Sequence, residues 1–154
     1  MEPAQWHVTL RFLGEVDGDL VPVLVDALGH AAAHLVGPVR CILGPATAWF
    51  SGAKVLQIPV AGLDRAAEAV REATVPIVPD PTPGRVTFAG HLTIARIRGR
   101  RPDPSARAAV AGLPFSAEFA VKSLALVSSH LSPEGPRYST LARLPLPREP
   151  PKSC

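Results

Sequence analysis

The chain contains the same four-residue pattern twice, His7-Val8-Thr9-Leu10 near its start and His91-Leu92-Thr93-Ile94 well past its middle. Each copy alternates a polar with an apolar residue, which is typical of a strand that buries one face. In such a strand the histidine and the threonine share one face and the two apolar residues share the other. Two strands of this kind side by side would line a cleft with two imidazoles and two hydroxyls. The pattern predicts a metal-free acid–base pair with hydrogen-bond donors for a phosphate.

The composition indicates one soluble globular domain. The chain has 154 residues, of which 47% are hydrophobic and 19% charged, and its net charge of +3 is a weak indication of a polyanionic partner. Two cysteines, Cys41 and Cys154, suggest neither a disulfide framework nor a metal cluster, so a reducing cytoplasm is expected. Because no apolar run reaches membrane-spanning length and the start lacks a basic, apolar leader, we expect neither a membrane segment nor a signal peptide.

Hydrophobic periodicity predicts short strands interleaved with short helices. Residues 115–129 read as one long strand or two short ones, and 147–154 as a flexible tail. The other strands are expected at 5–13, 39–43, 54–60, 90–98 and 138–144, and the helices at 17–35, 63–74 and 105–111.

This order lacks the regular alternation of a parallel α/β protein and therefore predicts an α+β fold with mostly antiparallel sheets. Each histidine pattern is followed by a helix and then two strands. We therefore expect a single domain over residues 1–146 with two pseudo-symmetric lobes, helices packed outside, and one histidine from each lobe at a central cleft.

Three segments carry a family resemblance: HVTLRFLGEV at the start, HLTIARIR around the second pattern and SPEGPRYSTLARLPL near the end. They resemble the two-histidine (2H) phosphoesterases. The similarity is narrower to the bacterial RNA 2′,3′-cyclic phosphodiesterases, the LigT-like branch also called the 2′-5′ RNA ligase family, and runs over about residues 3–146. Members of that branch normally begin with a further strand and helix. We therefore expect either a shortened form or a start codon assigned too far downstream.

The resemblance implies hydrolysis of RNA or nucleotide 2′,3′-cyclic phosphates to 2′-phosphomonoesters, with 2′-5′ ligation as the reverse use of the site. It implies that His7 is the general acid and His91 the general base, whereas the residues alone show only that two imidazoles are available. Thr9 and Thr93 are expected to bind the phosphate oxygens. The expected partners are RNA ends or nucleotides with a cyclic phosphate, bound by a monomer without metal, cofactor or membrane.

Two arginines are candidate substrate-binding residues. Arg11 has the strand parity of His7 and Thr9, so it is predicted to face the cleft and bind phosphate or ribose. Arg96 fits an H-x-T-x-x-R extension of the family, but simple alternation turns it away from His91 unless the strand twists or bulges. A solvated arginine is the alternative for both. Phe12 has the parity of the apolar residues and is expected in the core.

Other histidines give weaker patterns. His30 and His34 are spaced for one helix face, but the glutamate of a zinc protease motif and a third ligand are missing, so exposed side chains are expected. His130 is expected in a loop beside Ser128, without the strand–turn–helix of a nucleophile elbow. Two other functions stay open: a 2H branch acting on small nucleotide cyclic phosphates, and a non-catalytic or vestigial RNA-binding module.

Overall fold

Antiparallel strand pairing organises most of the chain. The structure is a computed structural model and describes residues 6–36, 38–50, 54–80, 87–97, 99, 103–132 and 135–147. The predicted tail lies outside these residues from position 148 onward. A 3-10 turn, Gly18–Leu20, leads into α1 (Val21–His34), and the other helices are α2 (Asp64–Thr74) and α3 (Pro104–Val110). The strands are β1 (Val39–Leu43), β2 (Ala48–Phe50), β3 (Val55–Ala61), β4 (His91–Arg96), β5 (Ala117–Val121), β6 (Ser123–Ser132) and β7 (Gly135–Pro145).

These elements form two sheets, and the predicted α+β class is confirmed. Five strands make the larger sheet, in the order β2-β3-β1-β5 with β4 paired to β3, and β6 pairs with β7 in the smaller one. Strand β3 pairs antiparallel with β1, β2 and β4, and β6 pairs antiparallel with β7. No described helix is long and apolar enough to cross a membrane.

The larger sheet has one apolar and one mixed face, because successive side chains of a strand alternate. Along β3, Leu56, Ile58 and Val60 are buried, whereas Gln57 and Pro59 on the other face are partly accessible. Burying one such aliphatic side chain contributes about 1.5–3 kcal/mol, which fixes the register of the strand.

The smaller sheet packs against α1. Leu24 and Leu28 are buried on the helix, and Leu124 and Leu144 are paired and buried on the hairpin. Gly29 also lies on this face of the helix, where a Cβ atom would be in ordinary van der Waals contact with Leu144 Cδ2 at 3.9 Å.

The chain divides into two compact units, but not as the sequence suggested. Both histidine patterns belong to the first unit, so the expectation of one histidine from each lobe is wrong. The reason is that Val8 pairs with Leu92 in an antiparallel bridge, which attaches the first pattern directly to β4. The first unit comprises Met1–Leu10, Arg40–Asp64 and Thr87–Phe119, and the second comprises Arg11–Val39, Arg65–Val86 and Ala120–Cys154.

The strand predicted at 5–13 is also much shorter than expected. Within its described part only Val8 pairs with another strand, and the chain bends at Leu10. The side chain of Phe12 is 79% exposed, so its predicted place in the core is wrong. The alternation of polar and apolar residues continues beyond Thr9 in the sequence. Among the described residues 9–13, however, no backbone pairing accompanies it, so these residues do not form a strand.

The contacts of Arg11 hold the chain after Leu10 in the second unit, so the strand does not continue. Its guanidinium donates to the carboxylate of Asp80 at 2.8 Å, to the carbonyl oxygen of Val78 at 2.5 Å, and to the hydroxyl of Thr74. Thr74 is fully buried and donates to the Val70 carbonyl at 2.6 Å. The side chain of Arg11 is only 7% exposed, and these bonds fasten it inside the second unit.

Asp80 is shared by two cations. Arg71 donates to its second oxygen at 2.7 Å. Desolvation raises the pKa of Asp80, but the hydrogen bonds and charges of Arg11 and Arg71 together outweigh it and hold the pKa below its ordinary value of 3.8. A carboxyl whose pKa is lowered by folding stabilises the protein above its unfolded pKa, and this contribution is lost as the pH falls through the folded value.

Replacing Asp80 by asparagine should destabilise the protein at neutral pH, because the nearly buried Arg11 would lose its counter-charge. Below pH 3.8 the wild type loses stability partly because Asp80 becomes protonated. The variant has no carboxyl group at this position, so its stability should fall less over the same pH range. Urea denaturation at neutral pH and at several acidic pH values measures both effects.

Glu118→Gln is the matched control. Glu118 pairs with Arg40 at 3.4 Å, and both side chains are 57% exposed, so solvent screens the pair and its loss should change stability little. Equal stability of Asp80→Asn and wild type at neutral pH would contradict the structural role assigned to Asp80.

Candidate active site

The pairing of Val8 with Leu92 decides the positions of four polar side chains. Continued by one residue on either side, this antiparallel register sets His7 opposite Thr93 and Thr9 opposite His91. Opposite residues of an antiparallel pair point to the same face. The two histidines and two threonines therefore form a two-by-two array on the face of the sheet opposite buried Leu92.

The spacing of this array suits a small anion. Directly opposite residues have Cβ atoms about 4.5–5.5 Å apart, and diagonal neighbours about 7–8 Å. His7 and His91 are diagonal neighbours, so a tetrahedral group can lie between the two rings. His7 and Thr9 are exposed, His91 is half-buried, and Thr93 is 6% exposed at the floor of the array.

The ring of His91 has a defined hydrogen bond. Its Nδ1–H donates to the carbonyl oxygen of Ala89 at 3.0 Å, because a carbonyl can only accept. A neutral His91 therefore carries its proton on Nδ1 and presents an unprotonated Nε2. The Phe50 ring lies beside it, with centroids 6.0 Å apart and planes tilted by 31°.

A β-bulge brings Arg96 to the histidine face. Thr93 pairs with Gln57, but the next pair is Ala95 with Leu56, so β4 has one extra residue at this point. Alternation resumes after the bulge, and Arg96 pairs with Val55, which shares the strand parity of Gln57. The exposed Arg96 thus lies on the same face as His91 and Thr93, as the family extension requires.

The guanidinium of Arg11 is occupied within the second unit. The sequence predicted that it faces the cleft with His7 and Thr9, but its guanidinium is occupied by Asp80, Thr74 and a carbonyl of the second unit. A phosphate would have to displace the carboxylate of Asp80. We therefore leave Arg11 out of the group proposed to contact substrate.

Sequence reasoning missed two neighbours of the array. Gln57 pairs with Thr93 and therefore shares its face, and Phe50 contacts the His91 ring. The signal for Gln57 was its position as the one polar residue in the strand VLQIPVA. Trp49, which precedes Phe50 in β2, donates its indole N–H to the Arg107 carbonyl at 3.1 Å.

The remaining histidines have hydrogen-bond partners of their own. His30 and His34 are exposed on α1, as expected, and each ring nitrogen Nδ1 bonds to the backbone carbonyl four residues earlier. His130 lies in β6 rather than in a loop, with Nε2 3.1 Å from the Ser128 hydroxyl. Within the described ranges no group of three or more histidine, cysteine, aspartate or glutamate side chains could hold a metal ion.

Comparison with known proteins identifies the family of the chain. A family model described as LigT like Phosphoesterase matches residues 1–36. A Thermus thermophilus protein named RNA 2′,3′-cyclic phosphodiesterase is 34% identical over 157 residues, which cover 94% of this chain and 73% of that protein.

Solved structures match over the same extent. The crystal structure of TT0787 of Thermus thermophilus aligns with a TM-score of 0.78 and 32% identity, covering 95% of this chain and 80% of that chain. E. coli LigT complexed with 3′-AMP aligns with a TM-score of 0.65 and 21% identity, covering 95% and 79%, and supports the fold alone. The chain belongs to the LigT-like phosphoesterases. The family predicted from the sequence, and the prediction of an enzyme of this class, are confirmed.

Gly90 holds β3 and β4 together next to His91. The Val60 N–H donates to the Gly90 carbonyl at 2.8 Å, and a Cβ atom on Gly90 would lie 2.4 Å from the Val60 carbonyl oxygen. Gly90→Ala should therefore push the two strands apart and lower the free energy of unfolding by about 1–3 kcal/mol, measured by urea denaturation.

Gly18→Ala provides the comparison for this variant. Nothing lies within 4 Å of a Cβ atom at Gly18, so that change should stay within about 0.5 kcal/mol of wild type. If the two variants were equally stable, the close strand approach described at Gly90 would be wrong.

Proposed function

We propose that this chain hydrolyses 2′,3′-cyclic phosphates of RNA ends or nucleotides to 2′-phosphomonoesters by acid–base catalysis between two histidines. The observation that supports this most is the array of His7, Thr9, His91 and Thr93 on one sheet face, which follows from the Val8–Leu92 bridge. The relative with 34% identity carries the name RNA 2′,3′-cyclic phosphodiesterase, and the E. coli LigT structure contains 3′-AMP. Both agree with a nucleotide phosphate as the ligand.

His91 is suited to act as the general base. The bond from its Nδ1–H to Ala89 holds the ring in the tautomer that leaves Nε2 free to accept a proton. His7, diagonal to it, is then the general acid, on the other side of the phosphorus. This division of roles is the one that the family resemblance implies.

The proposed reaction is an in-line displacement. Nε2 of His91 takes a proton from water, and the water oxygen forms a bond to phosphorus as the bond to the ribose 3′ oxygen breaks. The imidazolium of His7 gives its proton to that oxygen, which leaves a 2′-phosphate and a free 3′ hydroxyl. A 5′ hydroxyl in place of water would give 2′-5′ ligation with the same two groups.

Besides proton transfer, the reaction requires hydrogen-bond donors that stabilise the negative charge of the phosphate. The hydroxyls of Thr9 and Thr93 are proposed to donate to the non-bridging oxygens, where negative charge increases in the transition state. Arg96, returned to this face by the bulge, is proposed to contribute a positive charge near the substrate. We further propose that the enzyme acts as a cytoplasmic monomer and needs neither a metal nor another cofactor.

His7→Ala and His91→Ala should each lower kcat on a 2′,3′-cyclic nucleotide by about 10²–10⁴-fold, because each removes one proton-transfer group. The wild-type rate should follow a bell-shaped dependence on pH, since one imidazole must be protonated and the other neutral, and EDTA should not change it. Product analysis by ³¹P NMR should give the 2′-phosphate.

His30→Ala and His34→Ala are the controls, because both side chains are exposed on α1 and bond only to carbonyls of their own helix in the described structure. They should keep the wild-type rate. A His7 or His91 variant with near-wild-type kcat would rule out the two-histidine mechanism.

A further inference from the structure

Gln57 is a polar residue in the middle of an otherwise apolar strand. Its neighbours along β3, Leu56 and Ile58, are buried on the opposite face. The register sets Gln57 directly opposite Thr93, on the face of the histidine array, and diagonal to His91. The side chain is therefore adjacent to the space in which a bound phosphate would lie.

The carboxamide of Gln57 has one buried end without a partner. Its Oε1 atom is inaccessible to solvent, and no hydrogen bond satisfies it among the residues that the structure describes. Buried polar atoms are nearly always paired, because an unpaired one costs folding free energy. A methionine or leucine would fill the same space without that cost, so packing alone does not favour glutamine at this position.

The charge of the ligand determines which end of the amide it meets. A ligand can reach Gln57 only through the accessible part of its side chain, and a carboxamide can turn by half a rotation, so that part can present either the oxygen or the NH2 group. A phosphate oxygen only accepts hydrogen bonds, and therefore it selects the NH2 group. A neutral donor beside Thr93 adds to the stabilisation of the anion without adding another charge.

We propose that Gln57 is a substrate-binding residue that donates a hydrogen bond from its carboxamide NH2 group to a non-bridging phosphate oxygen, next to the hydroxyl of Thr93. The inference rests on the proposed function, since it takes the phosphodiester as the ligand of the array. It adds a third uncharged donor to the two threonines.

Gln57→Met and Gln57→Glu test the proposal, because both replacements nearly match glutamine in size. Gln57→Met removes the donor and should lower kcat/KM on a 2′,3′-cyclic nucleotide by about 10–100-fold. It should unfold at the same temperature as wild type or higher, because the unpaired buried atom is gone. Gln57→Glu should lose more activity than Gln57→Met, since its carboxylate repels the phosphate. Ser129→Ala, on an exposed position of β6, should match wild type in both measurements.

The outcomes separate this proposal from the proposed function. If wild type is active and Gln57→Met equals it, Gln57 only fills space and the inference is wrong. If Gln57→Glu keeps more activity than Gln57→Met, the oxygen and not the NH2 group meets the ligand, which also overturns it. If wild type does not hydrolyse the cyclic phosphate, calorimetric titration with 2′-AMP decides: weaker binding by Gln57→Met supports the role of Gln57, and equal or absent binding contradicts it.

Discussion

The antiparallel bridge between Val8 and Leu92 is the contact on which the site depends. A slip of one residue in this bridge would turn His7 and Thr9 away from His91 and Thr93, because side chains alternate along a strand and β3 keeps β4 in place. The bridge itself is small, but buried Leu56, Ile58 and Leu92 hold β3 and β4 in register beside it. The apolar face of the sheet therefore determines the chemistry of the opposite face.

Much of the fold could be predicted from local patterns. Helix α2 has buried Ala66, Ala67 and Val70 at helical spacing, and β1 coincides with its predicted range. The strand β2 was missed because three residues are too few for a period to show. The strand at 5–13 was overpredicted because alternation continues past Thr9, while the contacts of Arg11 with Asp80, far along the chain, lead the backbone elsewhere.

In the candidate site, too, the local sequence predicts some features, whereas others depend on contacts between residues far apart in the chain. The sequence suffices to pair each histidine with its threonine, but which residues stand opposite one another is a property of the assembled sheet. Arg96 illustrates this, since its face depends on a bulge whose partner residues, Leu56 and Gln57, belong to another strand. Gln57 is another example, because its relevance follows only from its pairing with Thr93.

The central claim is that one phosphate binds both imidazoles of the array. Long-range ¹H–¹⁵N correlation spectra of the histidine rings, recorded while 2′-AMP is added, measure this directly. The account predicts that the Nε2 signals of His7 and His91 shift together and saturate at the same ligand concentration, while those of His30 and His34 stay unchanged. A shift of only one of the two rings, or of neither, would contradict it.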